Sequence, residues 1–144
     1  VGSGYQKLKN SKNLPINIIL LPLQPFNKMD KVLNSADVFL AMLNNNSGKF
    51  SVPSKILNYL CAGKPIILSA PKDNLASKIV NDSSSGRVFN PENFNELNKF
   101  INELQNDNKL RVLLSENARN YAEKNFQINQ ISYKFESIIN KIVN

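Results

Sequence analysis

The sequence predicts an α/β domain: a Rossmann-like parallel sheet flanked by helices, followed by a C-terminal run of three helices. Three observations carry that expectation. Short apolar runs closed by Pro, Gly or polar residues recur at residues 17–21, 37–43, 65–70 and 86–89, and unbroken runs of this length suit strands buried on both faces. Helix-compatible segments separate them, the alternation that builds a parallel sheet. From residue 94 onward apolar residues return only at helical spacing.

In chain order, Val1-Gly2-Ser3-Gly4 reads as the end of a strand entering a tight glycine turn, with a short polar helix over residues 5–12. That strand lacks its body, so the domain is expected to be N-terminally truncated. Residues 17–21 form a buried strand closed by Pro22, and residues 25–34 a short helix through Met29, Val32 and Leu33. The strand at 37–43 is followed by a polar loop, residues 44–49, and then by a helix over 53–62. Pro53 sits near its first turn and Gly63 marks its stop, the usual positions for each residue. A strand at 65–70, a helix at 74–81 and a strand at 86–89 complete the alternation. Phe94, Leu97, Phe100, Ile101 and Leu104 then trace one helical face; Leu110, Leu113, Leu114, Asn117, Tyr121 and Ala122 trace a second. Ile128, Ile131, Phe135, Ile138 and Ile142 trace a third. With no repeat or linker in view, residues 1–144 are expected to form a single domain.

The 144 residues suffice for one self-burying core. A hydrophobic share of 42% and a charged share of 20% exclude a charge-driven disordered chain. A lone cysteine, Cys61, excludes a disulfide framework and a Cys-based zinc site and points to a reducing compartment. There is no histidine, so whatever these residues do proceeds without an imidazole. The net charge of +7 is one-sided: residues 1–72 hold nine lysines against Asp30 and Asp37, whereas the second half is balanced. A basic half suits an anionic partner, although scattered solvating lysines read equally well.

The helix over 53–62 carries the chemistry. At 100° per residue Ile56, Leu57, Tyr59, Leu60 and Cys61 fill most of its circumference, leaving Ser54, Lys55 and Asn58 on one polar strip. Its first turn offers unpaired N–H groups and a partial positive charge, a common phosphate receptor after a parallel strand. Ser54 adds a hydroxyl, Lys55 a full charge and Asn58 a bidentate amide, a spacing suited to a diphosphate with sugar hydroxyls beside Asn58. The same residues also suit a plain helix start, with Ser54 as cap, Lys55 in solvent and Asn58 in a local bond. The loop at 44–49 either closes over a ligand or is ordinary surface.

Several stretches in one order then carry a resemblance. Asn34-Ser35-Ala36-Asp37-Val38, the run from Val52 through Pro53, Ser54, Lys55, Asn58 and Gly63 to Ile67, Gly86-Arg87-Val88-Phe89-Asn90-Pro91-Glu92 and Asn117-Ala118-Arg119-Asn120-Tyr121-Ala122 resemble the C-terminal domain of GT-B glycosyltransferases of the family 4 (group 1) type. The opening Val1-Gly2-Ser3-Gly4 is similar to that domain's V-G-x-G turn. The resemblance implies one half of a GT-B fold that binds a nucleotide-sugar donor, UDP-linked by preference, with no metal or other cofactor. It implies a donor site at Gly2, Ser3, Val52, Pro53, Ser54, Lys55, Ile56 and Asn58 and assigns no catalytic residue. Two family glutamates are replaced, by Asn58 at the ribose position and by Phe50 at the donor-sugar position. It further implies an absent N-terminal acceptor domain, a lipid-linked or polysaccharide acceptor in bacterial cell-surface glycan synthesis such as lipopolysaccharide, and a C-terminal helix that crosses to the missing half. The expected location is cytoplasmic, with the basic half suited to the anionic inner face of the membrane. Two alternatives stand beside this reading: a sugar-nucleotide epimerase, disfavoured by the absent histidine, and a basic module for nucleic acid or a membrane surface. Nucleic acid is not an expected partner, since no reader motif is present and the aromatics fall at core spacing.

Overall fold

The computed structural model describes residues 5–10, 14–43 and 54–143. The chain divides into two units, Val1–Ser35 and Ala36–Asn144. The first holds helix α1 (Tyr5–Lys9), a 3-10 turn (Phe26–Lys28) and helix α2 (Met29–Asn34). The second holds strands β1 (Phe39–Met42), β2 (Ile66–Ser69) and β3 (Gly86–Phe89), with helices α3 (Ser54–Cys61) and α4 (Leu75–Asp82) between them. Helices α5 (Phe94–Asn106), α6 (Asn108–Asn125) and α7 (Ile128–Val143) follow.

The sheet is parallel, in the order β1-β2-β3, with Phe39 opposite Ile66 and Ile66 opposite Gly86. Because the chain steps across it in one direction, right-handed crossovers place α3 and α4 on the same face. There Ile56 and Leu60 of α3 meet Ala76 and Val80 of α4, Ala41 of β1, Leu68 of β2 and Ala118 and Ala122 of α6. The opposite face is covered by α5: Leu97, Phe100 and Leu104 pack with Ile67, Phe89 and the first half of α6 through Leu114. α6 thus contributes to both layers. The α/β expectation and the run of three closing helices are borne out.

Three helix starts follow from local chemistry. Asn74, Asn93 and Asp107 cap α4, α5 and α6 by accepting from the backbone N–H of Ala76, Glu96 and Leu110. Gly63 ends α3 at φ 61°, a left-handed conformation natural to glycine. Gly86 is required by contact, since a Cβ there would overlap the carbonyl of Ile66 on β2.

Three expectations need correction. Residues 17–21 form no strand, and Ile18, Ile19 and Leu21 are exposed. A buried strand requires ladder partners, and among the described residues this segment pairs only through a turn, the Ile18 amide donating to the Pro15 carbonyl. The strand at 37–43 contracts to Phe39–Met42 and alternates, with Phe39 and Ala41 buried and Leu40 and Met42 exposed. α5 lies over β2 and β3, so the second face of β1 has no apolar layer over it among the described residues of its unit. The helix expected over 5–12 is seen at Tyr5–Lys9 and gives way to a turn at Asn10; residues 11 and 12 lie outside the described residues. By contrast β2 is buried at all four positions, as its unbroken Ile-Ile-Leu run predicts.

Candidate functional site

In a parallel sheet each crossover helix runs back against the strands, so the first turn of α3 lies at the carboxyl edge of the sheet. Packing decides which side of that turn faces water. Ile56 and Leu60, one turn apart, are wholly buried and fix one face of α3 on the sheet. Tyr59 is half-buried and stacks on Phe39 of β1, with ring centroids 3.9 Å apart and planes 7° from parallel. Burial pushes the Tyr59 hydroxyl above its ordinary pKa of 10.0, because phenolate would lose water there. With those contacts made, Ser54, Lys55 and Asn58 fall on the exposed face, as the sequence predicts.

The structure therefore brings Ser54, Lys55 and Asn58 together on one open strip, and it puts Ile56 under that strip, in the core. Ile56 can serve a ligand only through its backbone. Gly2, Ser3, Val52 and Pro53, together with the loop at 44–49 and Phe50, lie outside the described residues. The helix is less enclosed than its periodicity suggested. Cys61 is exposed, and Leu57 and Tyr59 are only half-buried, because α3 is packed from the sheet side and by α6 but not all round.

The carboxyl edge holds a second group that the sequence reading passed over. The β2–α4 connection runs through Ala70, Pro71, Lys72, Asp73 and Asn74, with Lys72 and Asp73 exposed. It is braced from below by the Asn74 cap and by the Ser77 hydroxyl, which donates to the Pro71 carbonyl over 2.8 Å. Position after a strand was the available signal for it. The described cavities lie elsewhere. One of about 420 Å³ is lined by Asp37, Val38, Ile67, Ile101, Leu104 and Arg111, and one of about 360 Å³ by Cys61, Arg119, Glu123 and Phe126 among others. In the first, Arg111 is already committed to the carbonyls of Leu104 and Gln105 at the end of α5. Among the described residues no three acidic, Cys or His side chains gather as a metal site, and no helix is long and apolar enough to cross a membrane.

A parallel sheet with crossover helices, three closing helices and an open polar helix tip at its carboxyl edge defines a Rossmann-like domain, the architecture of one half of a GT-B fold. The family model of glycosyl transferases group 1 matches residues 2–121, and the chain belongs to that family. It is also 26% identical over 119 residues to an uncharacterized glycosyltransferase of Methanocaldococcus jannaschii, an alignment covering 83% of this chain and 29% of that protein. The chain thus spans less than a third of the length of this relative. No solved structure matches it.

Proposed function

We propose that this chain is the donor-binding half of a glycosyltransferase and that its donor is a nucleoside-diphosphate sugar, UDP-linked by preference. The observation that carries the reading is the exposed Ser54-Lys55-Asn58 strip at the first turn of α3, in a chain of the group 1 family. When the glycosidic C1–O bond to the donor breaks, the electron pair leaves with the nucleoside diphosphate. The helix dipole, the N–H groups of the first turn and the Lys55 ammonium would offset that growing charge. The Ser54 hydroxyl would donate to a phosphate oxygen, and the Asn58 amide would bind the ribose diol one turn on. This scheme asks nothing of a metal.

The test is calorimetry with UDP, GDP, ADP and dTDP, and with the nucleoside uridine, on the unaltered chain and on the double variant Ser54→Ala/Lys55→Ala. Both side chains are exposed, so the fold should survive. The double variant should lose more affinity for the diphosphate than for the nucleoside. Equal losses would mean that the phosphates bind elsewhere.

A further inference from the structure

Arg119 stands on α6, far in sequence from the strip, and reaches the opposite end of α3. Its Nη1 donates to the Cys61 carbonyl over 2.9 Å, one of the last carbonyls of α3 and a group with no partner of its own inside the helix. Its Nε donates to Glu123 Oε1 over 2.7 Å, one turn along α6. As an exposed pair in the less favourable order for a helix, that bridge adds little stability. What it does is hold the guanidinium in one orientation. The stem of the same side chain lies over the turn that ends α3: a Cβ on Gly63 would come within 3.3 Å of the Arg119 Cβ. Two residues earlier, Asn117 Nδ2 donates to the Ser84 carbonyl over 3.0 Å, and Ser84 is the one described non-glycine residue with positive φ, at 47°. Between them Ala118 is wholly buried and small, so α6 comes close to α3. α6 therefore grips the ends of both crossover helices, α3 and α4.

Three features fix α3. Ile56 and Leu60 hold it to the sheet and Tyr59 leans on Phe39, but apolar contacts tolerate sliding and rotation. The Arg119 bond is directional and acts along the helix axis. An eight-residue helix is about 12 Å long, so a tilt of about 10° at its far end moves the tip by about 2 Å. A displacement on the order of 1 Å is enough to spoil a set of converging donors.

We infer that Arg119 is a positioning residue for the proposed donor site: by holding the C-terminal end of α3 it sets where Ser54 and Lys55 meet the diphosphate and where Asn58 meets the ribose diol. The inference rests on the donor-site reading above, and the test separates the two. Arg119→Met keeps most of the stem and removes both hydrogen bonds, whereas Arg119→Lys keeps one donor and the charge. Calorimetry with UDP and with uridine, on the full chain, is expected to show Arg119→Met losing about tenfold for UDP, the scale of one charge-assisted hydrogen bond. Uridine, which meets only Asn58, one turn back from the tip, should lose less affinity than UDP does, and Arg119→Lys should recover part of the UDP loss. An unchanged ratio of UDP to uridine affinity, or a Lys variant no better than Met, overturns the role. Amide exchange provides a readout that needs no ligand. Arg119→Met should raise exchange in α3 about tenfold while β2 stays protected. Unaltered α3 exchange, or an equal rise in α3 and β2, overturns the positioning role whether or not nucleotide binds. Failure of the unaltered chain to bind any nucleoside diphosphate overturns the donor-site reading instead.

Discussion

Asn58 and Leu60 stand two residues apart on α3, yet their truncation should be felt in different assays. Asn58 is exposed, and alanine is the better helix former by about 0.5 kcal/mol. Asn58→Ala should therefore leave the unfolding midpoint unchanged or slightly raised. If the amide binds the ribose diol it makes one or two hydrogen bonds, each worth about 0.5–1.5 kcal/mol net. Their loss totals about 1–2 kcal/mol, or roughly a 5- to 30-fold rise in Kd for UDP. Titration calorimetry with UDP, alongside thermal unfolding of the same samples, reads both quantities. Unchanged UDP affinity would remove Asn58 from the site. A fall in melting temperature of more than a few degrees would show instead that its side chain bears on the packing of α3, contrary to its exposure.

Leu60→Ala is expected to do the reverse. Its side chain is wholly buried in the core cluster on the α3 side of the sheet, so the substitution should cost about 2–5 kcal/mol, read as a lower urea midpoint at unchanged m-value. Gly86→Ala should be at least as damaging, about 2 kcal/mol or more, because the new Cβ has the Ile66 backbone in its way and not a movable side chain; wild-type stability of that variant would refute the close approach of β3 to β2. Tyr59 makes the fold sensitive to alkali. Its pKa is raised by burial, so above pH 10 the unfolded chain releases this proton first and binds fewer protons than the folded one. Stability should accordingly be intact below pH 10 and fall as pH rises through the folded-state value. Tyr59→Phe should flatten that fall in a series of urea melts from pH 9 to 12, and an identical slope in both proteins would sink the assignment.

How far the fold was legible depends on whether the described structure sets a partner against each apolar face. β2 was readable because both of its neighbours and both covering layers come from residues 36–125, so an unbroken Ile-Ile-Leu run meant burial on both sides. The same kind of run at residues 17–21 misled, because an apolar run states what a strand would need and not what it finds. β1 sits between these cases. Ala41 is buried in the cluster on the α3 side of the sheet, as a buried strand requires, but Leu40 and Met42 face the side that α5 does not reach. α7 follows the same logic: its helical period was plain, yet Ile128, Phe135, Ile138 and Ile142 remain exposed. Periodicity identifies the element and the face that wants cover, and the partner is a separate fact.

For the site, the legible part was angular. A 100° step and five apolar residues were enough to put Ser54, Lys55 and Asn58 on one exposed strip, and the packing of Ile56 and Leu60 turns that strip to solvent. What the helical wheel could not show was how the rod is held lengthwise, since that depends on residues more than fifty positions away. Arg119 and Asn117 stood out in the sequence only as members of a helix motif, with nothing in their spacing to name the Cys61 and Ser84 carbonyls as acceptors. Both acceptors are backbone groups, so no side-chain pattern announces them. The consequence is that binding at this strip should be tunable from two ends: by the chemistry of the first turn, and by the far grip of α6, which touches no ligand at all.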